Sequence, residues 1–128
     1  MTGPDPATIA QELFESYAAG DLNRTGSLMA QELTGHVTNA QAGVDVVEGR
    51  DAYLSRLPDL HSTGGTLNIT QVVGIDSERA LTMVEIKAVR EGRALHNFAA
   101  FLTRVVDGKV QQIWMVDALP AYSDEFWS

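Results

Sequence analysis

The hydrophobic period of this chain changes near residue 66, and that change limits what it can fold into. Before it, Ile9, Leu13, Phe14 and Tyr17 recur at helical spacing; after it, apolar and polar residues alternate in long runs. Leu67 and Ile69 open the first run. Ala80 to Val89, Ala94 to Val106 and Val110 to Asp117 carry the next three. The runs are joined by turn sequences: Gly74 with Asp76-Ser77, Glu91-Gly92-Arg93, and Asp107-Gly108, the strongest hairpin signal in the chain. Helices first and an antiparallel meander last predict an α+β fold with helices covering one sheet face. Strands of ten or more residues need curvature or bulges, which is how a sheet wraps a pocket.

The helical half is punctuated by caps. Residues 1–5 are expected to be disordered or loosely attached, up to the point where Asp5-Pro6 supplies an N-cap and a first-turn proline. That helix runs to Ala19, and Gly20 stops it. Asp21 is placed to cap a second helix over Leu22–Gln31, with Leu28 and Met29 inward. Leu33 to Asn39 is ambiguous. Gly35, Gly43 and Gly49 mark a loop-rich stretch with room for a short strand or two. A third helix follows Gly49, carrying Tyr53, Leu54 and Leu57, and Pro58 ends it near Leu57.

Composition excludes several function classes. At 128 residues and 45% hydrophobic, the chain has material for one core, hence a single domain over 1–128. No apolar run is long enough to span a bilayer, and no segment pairs a basic start with a hydrophobic stretch. A cytoplasmic protein is the resulting expectation, with no membrane partner. A net charge of −8, from seventeen acidic and nine basic residues, repels a nucleic-acid backbone, so no nucleic-acid partner is expected. Arg90 and Arg93 flank a turn and read as a solvated hairpin tip. There is no cysteine, the histidines at 36, 61 and 96 lack ligand spacing, and no glycine-rich phosphate loop or nucleophile elbow occurs. Neither metal nor cofactor is expected.

Asp117 is the first candidate for chemistry. It closes a strand pattern containing Ile113, Trp114, Met115 and Val116, and shares parity with Ile113 and Met115. A carboxylate there either escapes to water, capping the turn before Pro120, or lines a cavity where it exchanges protons with a carbon acid. His36, between Gly35 and Val37, is a second candidate, as a proton relay or a rim histidine. His96 and Asn97 must point to opposite faces; parity with Ala99 and Phe101 turns Asn97 inward as a substrate-binding amide. Tyr17 and Tyr53 lie on helices that cover the sheet, where a phenol can donate to a developing oxyanion or simply pack. Asn39 belongs to the loop over the mouth. Phe101 and Met115, with Met29 and Trp114, would line a pocket for a flat apolar ligand or fill a core. Both sheet faces carry apolar residues, so a homodimer through the sheet is expected.

Several stretches carry a family resemblance: AAGDL (18–22), LMAQELTGHV (28–37), EGRDAYLSRLPDL (48–60) and VVDGKVQQIWMVDALPAYSDEFWS (105–128). Together they resemble the SnoaL-like branch of the nuclear transport factor 2-like superfamily, which includes ketosteroid isomerases and polyketide cyclases. The resemblance implies a cone-shaped α+β domain, three N-terminal helices packed on a strongly curved antiparallel sheet, and a cavity for a small hydrophobic molecule. The isomerase residues do not carry over: their helix tyrosine falls on Leu13, their base near His36 or Val37, and their protonated acid near Phe101. Nor does the Ala80 to Val89 strand contain the Arg-x-Asp of the epoxide hydrolases. The polyketide cyclases are nearer in outline, with one Asp or His handling a proton, and they point to Asp117. The function expected is cofactor-independent acid–base catalysis (isomerase, cyclase or dehydratase type) on an apolar carbonyl compound. The alternatives are a non-catalytic small-molecule binding protein and an interaction domain.

Overall fold

The computed structural model describes residues 5–128, so the expectation of a loose start over residues 1–4 falls outside the described residues. Helix α1, Pro6–Ala18, begins where Asp5 accepts the backbone N–H of Ala7, which places Asp5 in the helix cap. It buries Ile9, Ala10, Leu13 and Phe14. Gly20, at φ +79°, adopts the left-handed conformation that lets the chain turn. Asp21 then caps α2, Leu22–Ser27, and a 2.7 Å hydrogen bond between the Ser16 and Thr25 hydroxyls ties the two helices together.

Helix α2 is shorter than the expected Leu22–Gln31. Its Thr25-Gly26-Ser27 end is a weak helix former, and strand β1, Met29–Thr38, begins immediately after Leu28. Leu28 and Met29 are buried, but from a cap and a strand. Strand β1 pairs on both edges, antiparallel with β2 (Val44–Glu48) and parallel with β6 (Lys109–Asp117). Helix α3, Arg50–Arg56, follows Gly49, and Pro58 stands two residues past its end. Strands β3 (Thr66–Gly74), β4 (Arg79–Arg90) and β5 (Arg93–Val106) lead to β6, and α4 spans Pro120–Trp127.

The six strands form one sheet in the order β2-β1-β6-β5-β4-β3. Two turns have left-handed φ at both central residues, Glu91-Gly92 and Asp107-Gly108, the backbone of tight hairpins. The α+β class holds, but three expected features are corrected. Two helices, not three, precede the first strand; α3 is inserted between β2 and β3. The sheet is mixed, because β1 runs parallel to β6. Nor is it strongly curved: the longest ladder, β4–β5, keeps one register from Arg79↔Arg104 to Arg90↔Arg93, and the register breaks are confined to single places in the β1–β6, β3–β4 and β5–β6 ladders.

One face of the sheet carries Val84, Leu95, Ala99, Phe101, Thr103 and Ile113, all buried. Helix α1 packs on it, with the Phe14 and Phe101 rings 4.7 Å apart. The other face stays open to solvent and apolar: Phe98 is 50% exposed and Val116 57%, alongside Val44, Val46 and Met83. The C-terminal segment is held down as a helix. Phe126 is buried, Arg90 and Arg93 donate to the carbonyls of Glu125, Phe126 and Ser128, and Arg93 lies 5.9 Å from the Phe126 ring centroid. Cations at a helix C-terminus also meet its partial negative charge. The hairpin tip read from sequence as merely solvated is thus a clamp on α4.

Candidate functional site

A cavity of about 750 Å³ lies between the inner sheet face, α1, α3, the 57–63 loop and α4. Leu67, Ile86, Leu95, Phe101 and Met115 form its apolar floor, and Trp127 closes one side. A volume of that order accommodates a small organic molecule in a mostly apolar setting with a few polar groups.

Asp117 lines this cavity from the end of β6, where inward parity with Ile113 and Met115 continues. Its Oδ1 accepts two hydrogen bonds, from Asn97 Nδ2 at 2.7 Å and from the Leu119 backbone N–H at 2.8 Å. Its own backbone N–H donates to Thr38 Oγ1 at 3.0 Å, which joins it to β1. Oδ2 takes no hydrogen bond among the described residues. Asn97 is 2% exposed; its Oδ1 accepts the Phe98 N–H, so the amide is oriented and its Nδ2 keeps one further N–H. The arrangement leaves a carboxylate with one oxygen fixed and the other available as a proton acceptor.

Two phenols face the same cavity. Tyr17 donates to the Pro58 carbonyl at 2.6 Å. Tyr53 is 3% exposed, and its hydroxyl has no partner among the described residues. Gly35 explains its seat: a Cβ there would stand 2.5 Å from Tyr53 Cδ1, so the ring lies where only glycine leaves space. Burial pushes the Tyr53 pKa up well beyond the usual phenol range; Tyr17 adds to this and Arg56 opposes it. Burial raises Tyr17 similarly, with Asp59 adding. Both remain neutral hydrogen-bond donors across the physiological range.

The structure therefore brings Asp117, Asn97, Tyr17, Tyr53, Phe101 and Met115 together. It does not bring His36 or Asn39 to them. The His36 ring stacks on Trp114 at 5.4 Å, on the sheet face away from the cavity, because Gly35 and Val37 take the inward positions of β1. Asn39 is committed to its own turn: its Oδ1 accepts the N–H groups of Gln41 and Gly43, and its Nδ2 donates to Asp45. Met29 is a core residue, and His96 pairs with Glu85 at 2.6 Å on the outer face.

Sequence reasoning missed Arg56, Arg90, Thr38 and Trp127, all of which line the cavity. Arg56 had a usable signal, since it follows Tyr53 by three positions on one helix face. Arg90 and Trp127 had none, because their place depends on how α4 docks. Among the described residues no group of three histidine or acidic side chains is placed to hold a metal ion, and no helix is long and apolar enough to cross a membrane.

No family model matches the chain. Three curated mycobacterial proteins, one from Mycobacterium bovis and two from strains of Mycobacterium tuberculosis, are 24% identical to it over the full length of both; each is described as uncharacterised. Among solved structures, Bal32a from a soil-derived mobile gene cassette superimposes with a TM-score of 0.81 at 20% identity, covering 96% of each chain. A candidate SnoaL-like polyketide cyclase from Jannaschia gives 0.76 at 12% identity, covering 96% of this chain and 92% of that one. TerC, co-crystallised with polyporic acid, gives 0.77 at 12% identity, covering 97% and 100%. The chain has the NTF2-like, SnoaL-like fold.

Proposed function

We propose that this chain uses its NTF2-like, SnoaL-like fold to bind a small, mainly apolar, carbonyl-bearing molecule, and that Asp117 exchanges a proton with it. The observation that carries this reading is the split role of the Asp117 carboxylate: Oδ1 held by Asn97 and Leu119, Oδ2 unpartnered beside an apolar cavity. In the proposed step Oδ2 takes a proton from the carbon next to the carbonyl. The C–H electrons pass to the carbonyl oxygen as an enolate, and the Tyr53 hydroxyl donates to that oxygen. Return of the proton to another carbon isomerises the molecule; alternatively the enolate electrons form a carbon–carbon double bond as a β-hydroxyl leaves, and Asp117 returns its proton to that hydroxyl to release water. The likeness to a candidate polyketide cyclase and to a protein crystallised with polyporic acid supports a small-molecule ligand.

A second reading is a non-catalytic binding protein. It is favoured by the Leu119 N–H bond, since a carboxylate that only fixes the approach to α4 would make the same contact. Native mass spectrometry of freshly purified protein, then of the same sample denatured, identifies any retained molecule. Turnover of that molecule, lost in Asp117→Asn while binding persists, supports the catalytic reading; unchanged turnover removes Asp117 from it.

The same proposal includes pairing of two copies through the outer sheet face. Phe98, Val116, Val44, Val46 and Met83 form an apolar surface beside Trp114 that a monomer would leave in water.

A further inference from the structure

We infer that Tyr53 and Arg56 form a subsite for an anionic oxygen of the ligand, so that the molecule held in the cavity is an organic acid and not merely a neutral carbonyl compound. The inference rests on the proposed small-molecule reading of the cavity and names its ligand class.

Tyr53 contributes a hydroxyl that has no partner among the described residues although the residue is 3% exposed and lines the cavity. Among the described residues only Thr82 Oγ1 is a fully buried side-chain oxygen without a partner, so the Tyr53 hydroxyl opens onto the cavity, free to donate to a ligand oxygen there. Arg56 is one helical turn further along α3, on the same face, and lines the same cavity. Its guanidinium is pre-positioned: one terminal amine donates to Asp45 Oδ2 at 2.6 Å, and Asp45 is itself held by Asn39 Nδ2 at 2.9 Å. A guanidinium has five N–H donors in a rigid plane, so this anchor leaves others for a planar, oxygen-bearing group.

The neighbouring groups divide the cavity by charge. Tyr17 is already committed to the Pro58 carbonyl, and Asp59, which lines the wall near it, accepts the Ser62 N–H at 3.2 Å. Asp117 is negative at its own end. Asp59, Asp117 and Asp124 in the lining repel an acid, and of the two lining cations Arg90 already donates to the Phe126 and Ser128 carbonyls, so attraction centres on Tyr53 and Arg56. That orientation directs the rest of the molecule, with its carbon–hydrogen bonds, toward Asp117. The net charge of −8 does not oppose it decisively, because distant surface charges are screened within about 10 Å at ordinary salt.

Isothermal titration calorimetry on the full chain tests this with two matched pairs of flat probes. 2-Naphthoate against 2-naphthamide reports a carboxylate; 2-hydroxy-1,4-naphthoquinone, an enolate at pH 8, against its methyl ether reports an enolate. The expected result is that the anion of at least one pair binds about tenfold or more tightly than its neutral partner. The pair that shows the larger preference identifies the kind of acid. Arg56→Gln is expected to abolish the preference and Tyr53→Phe to weaken it. Equal binding within both pairs, a preference that survives Arg56→Gln, or no binding of any probe at millimolar concentration overturns the subsite. Because the readout is binding, a failed catalytic role for Asp117 leaves this result unaffected, and the reverse also holds.

Discussion

The side-chain amide of Asn97 donates to Oδ1 of Asp117 at 2.7 Å, although the residue directly across the β5–β6 ladder from Asp117 is Ala99. The bond is a diagonal one between same-face neighbours, and it decides which carboxylate oxygen faces the cavity unpartnered.

Asn97→Ala removes that bond and leaves a part-buried carboxylate with less compensation. Loss of a hydrogen bond to a charged group costs roughly 1.5–3 kcal/mol. Urea denaturation is expected to show a lower midpoint with an unchanged slope, and turnover of an identified substrate is expected to fall with it. A variant of wild-type stability and activity would remove Asn97 as the positioning residue.

Gly35→Ala tests how Tyr53 is seated. The added Cβ falls 2.5 and 2.6 Å from two ring carbons, closer than atoms pack, so the ring must leave β1. Overpacking of this kind costs about 1–3 kcal/mol, and the displaced ring takes up cavity space. The expected outcome is a lower melting temperature together with loss of any co-purifying ligand. Normal melting with full ligand retention would show that the ring relaxes without consequence.

Tyr17 and Tyr53 make the fold sensitive to alkali. Their folded pKa values are raised, while an unfolded tyrosine titrates near about 10. The folded state therefore holds its phenol protons when the unfolded state has lost them, and stability falls as pH rises above the unfolded value. Ionisation followed at 295 nm is expected to lag for these two phenols and then to appear together with unfolding. The double variant Tyr17→Phe, Tyr53→Phe is expected to shift the alkaline midpoint upward; no shift would mean another group drives it.

Thr82 is fully buried on β4, and its hydroxyl oxygen has no hydrogen-bond partner among the described residues. Thr82→Val keeps the shape and removes a polar group that is desolvated without compensation. Stability is expected to rise by about 1 kcal/mol, read as a higher melting temperature; a fall would reveal an acceptor or ordered water serving Oγ1.

Phe98→Glu places a charge in the middle of the exposed apolar sheet face. If two copies pair there, light scattering is expected to show a dimer for the wild type and a monomer for the variant, with the fold intact by circular dichroism. A monomeric wild type, or a dimeric variant, would place the contact elsewhere or abolish it.

Some of this architecture was legible because it is local. Helix α1 was marked by Asp5-Pro6 and Gly20, and β4, β5 and β6 by alternation bounded by two tight turns. Strand β1 was not legible. Around Gly35 and His36 it has little β propensity, and although β2 pairs with one edge, the other edge is paired by β6, far along the chain and parallel to it. The face His36 takes was hidden for the same reason: on a strand, a one-residue change of parity exchanges the cavity face for the outer face.

By itself, the sequence determined the class of the fold, the hairpin turns and the inward parity that sets Asp117 with Met115 and Asn97 with Phe101, because side-chain alternation and turn conformation are decided within a few residues. Only the tertiary structure decided that β1 runs parallel to β6, that Arg56 joins Tyr53 at the cavity wall, and that Arg90 and Arg93 clamp α4 beside it. Those relationships depend on packing and hydrogen bonds between segments distant in sequence, whose energies no local pattern contains.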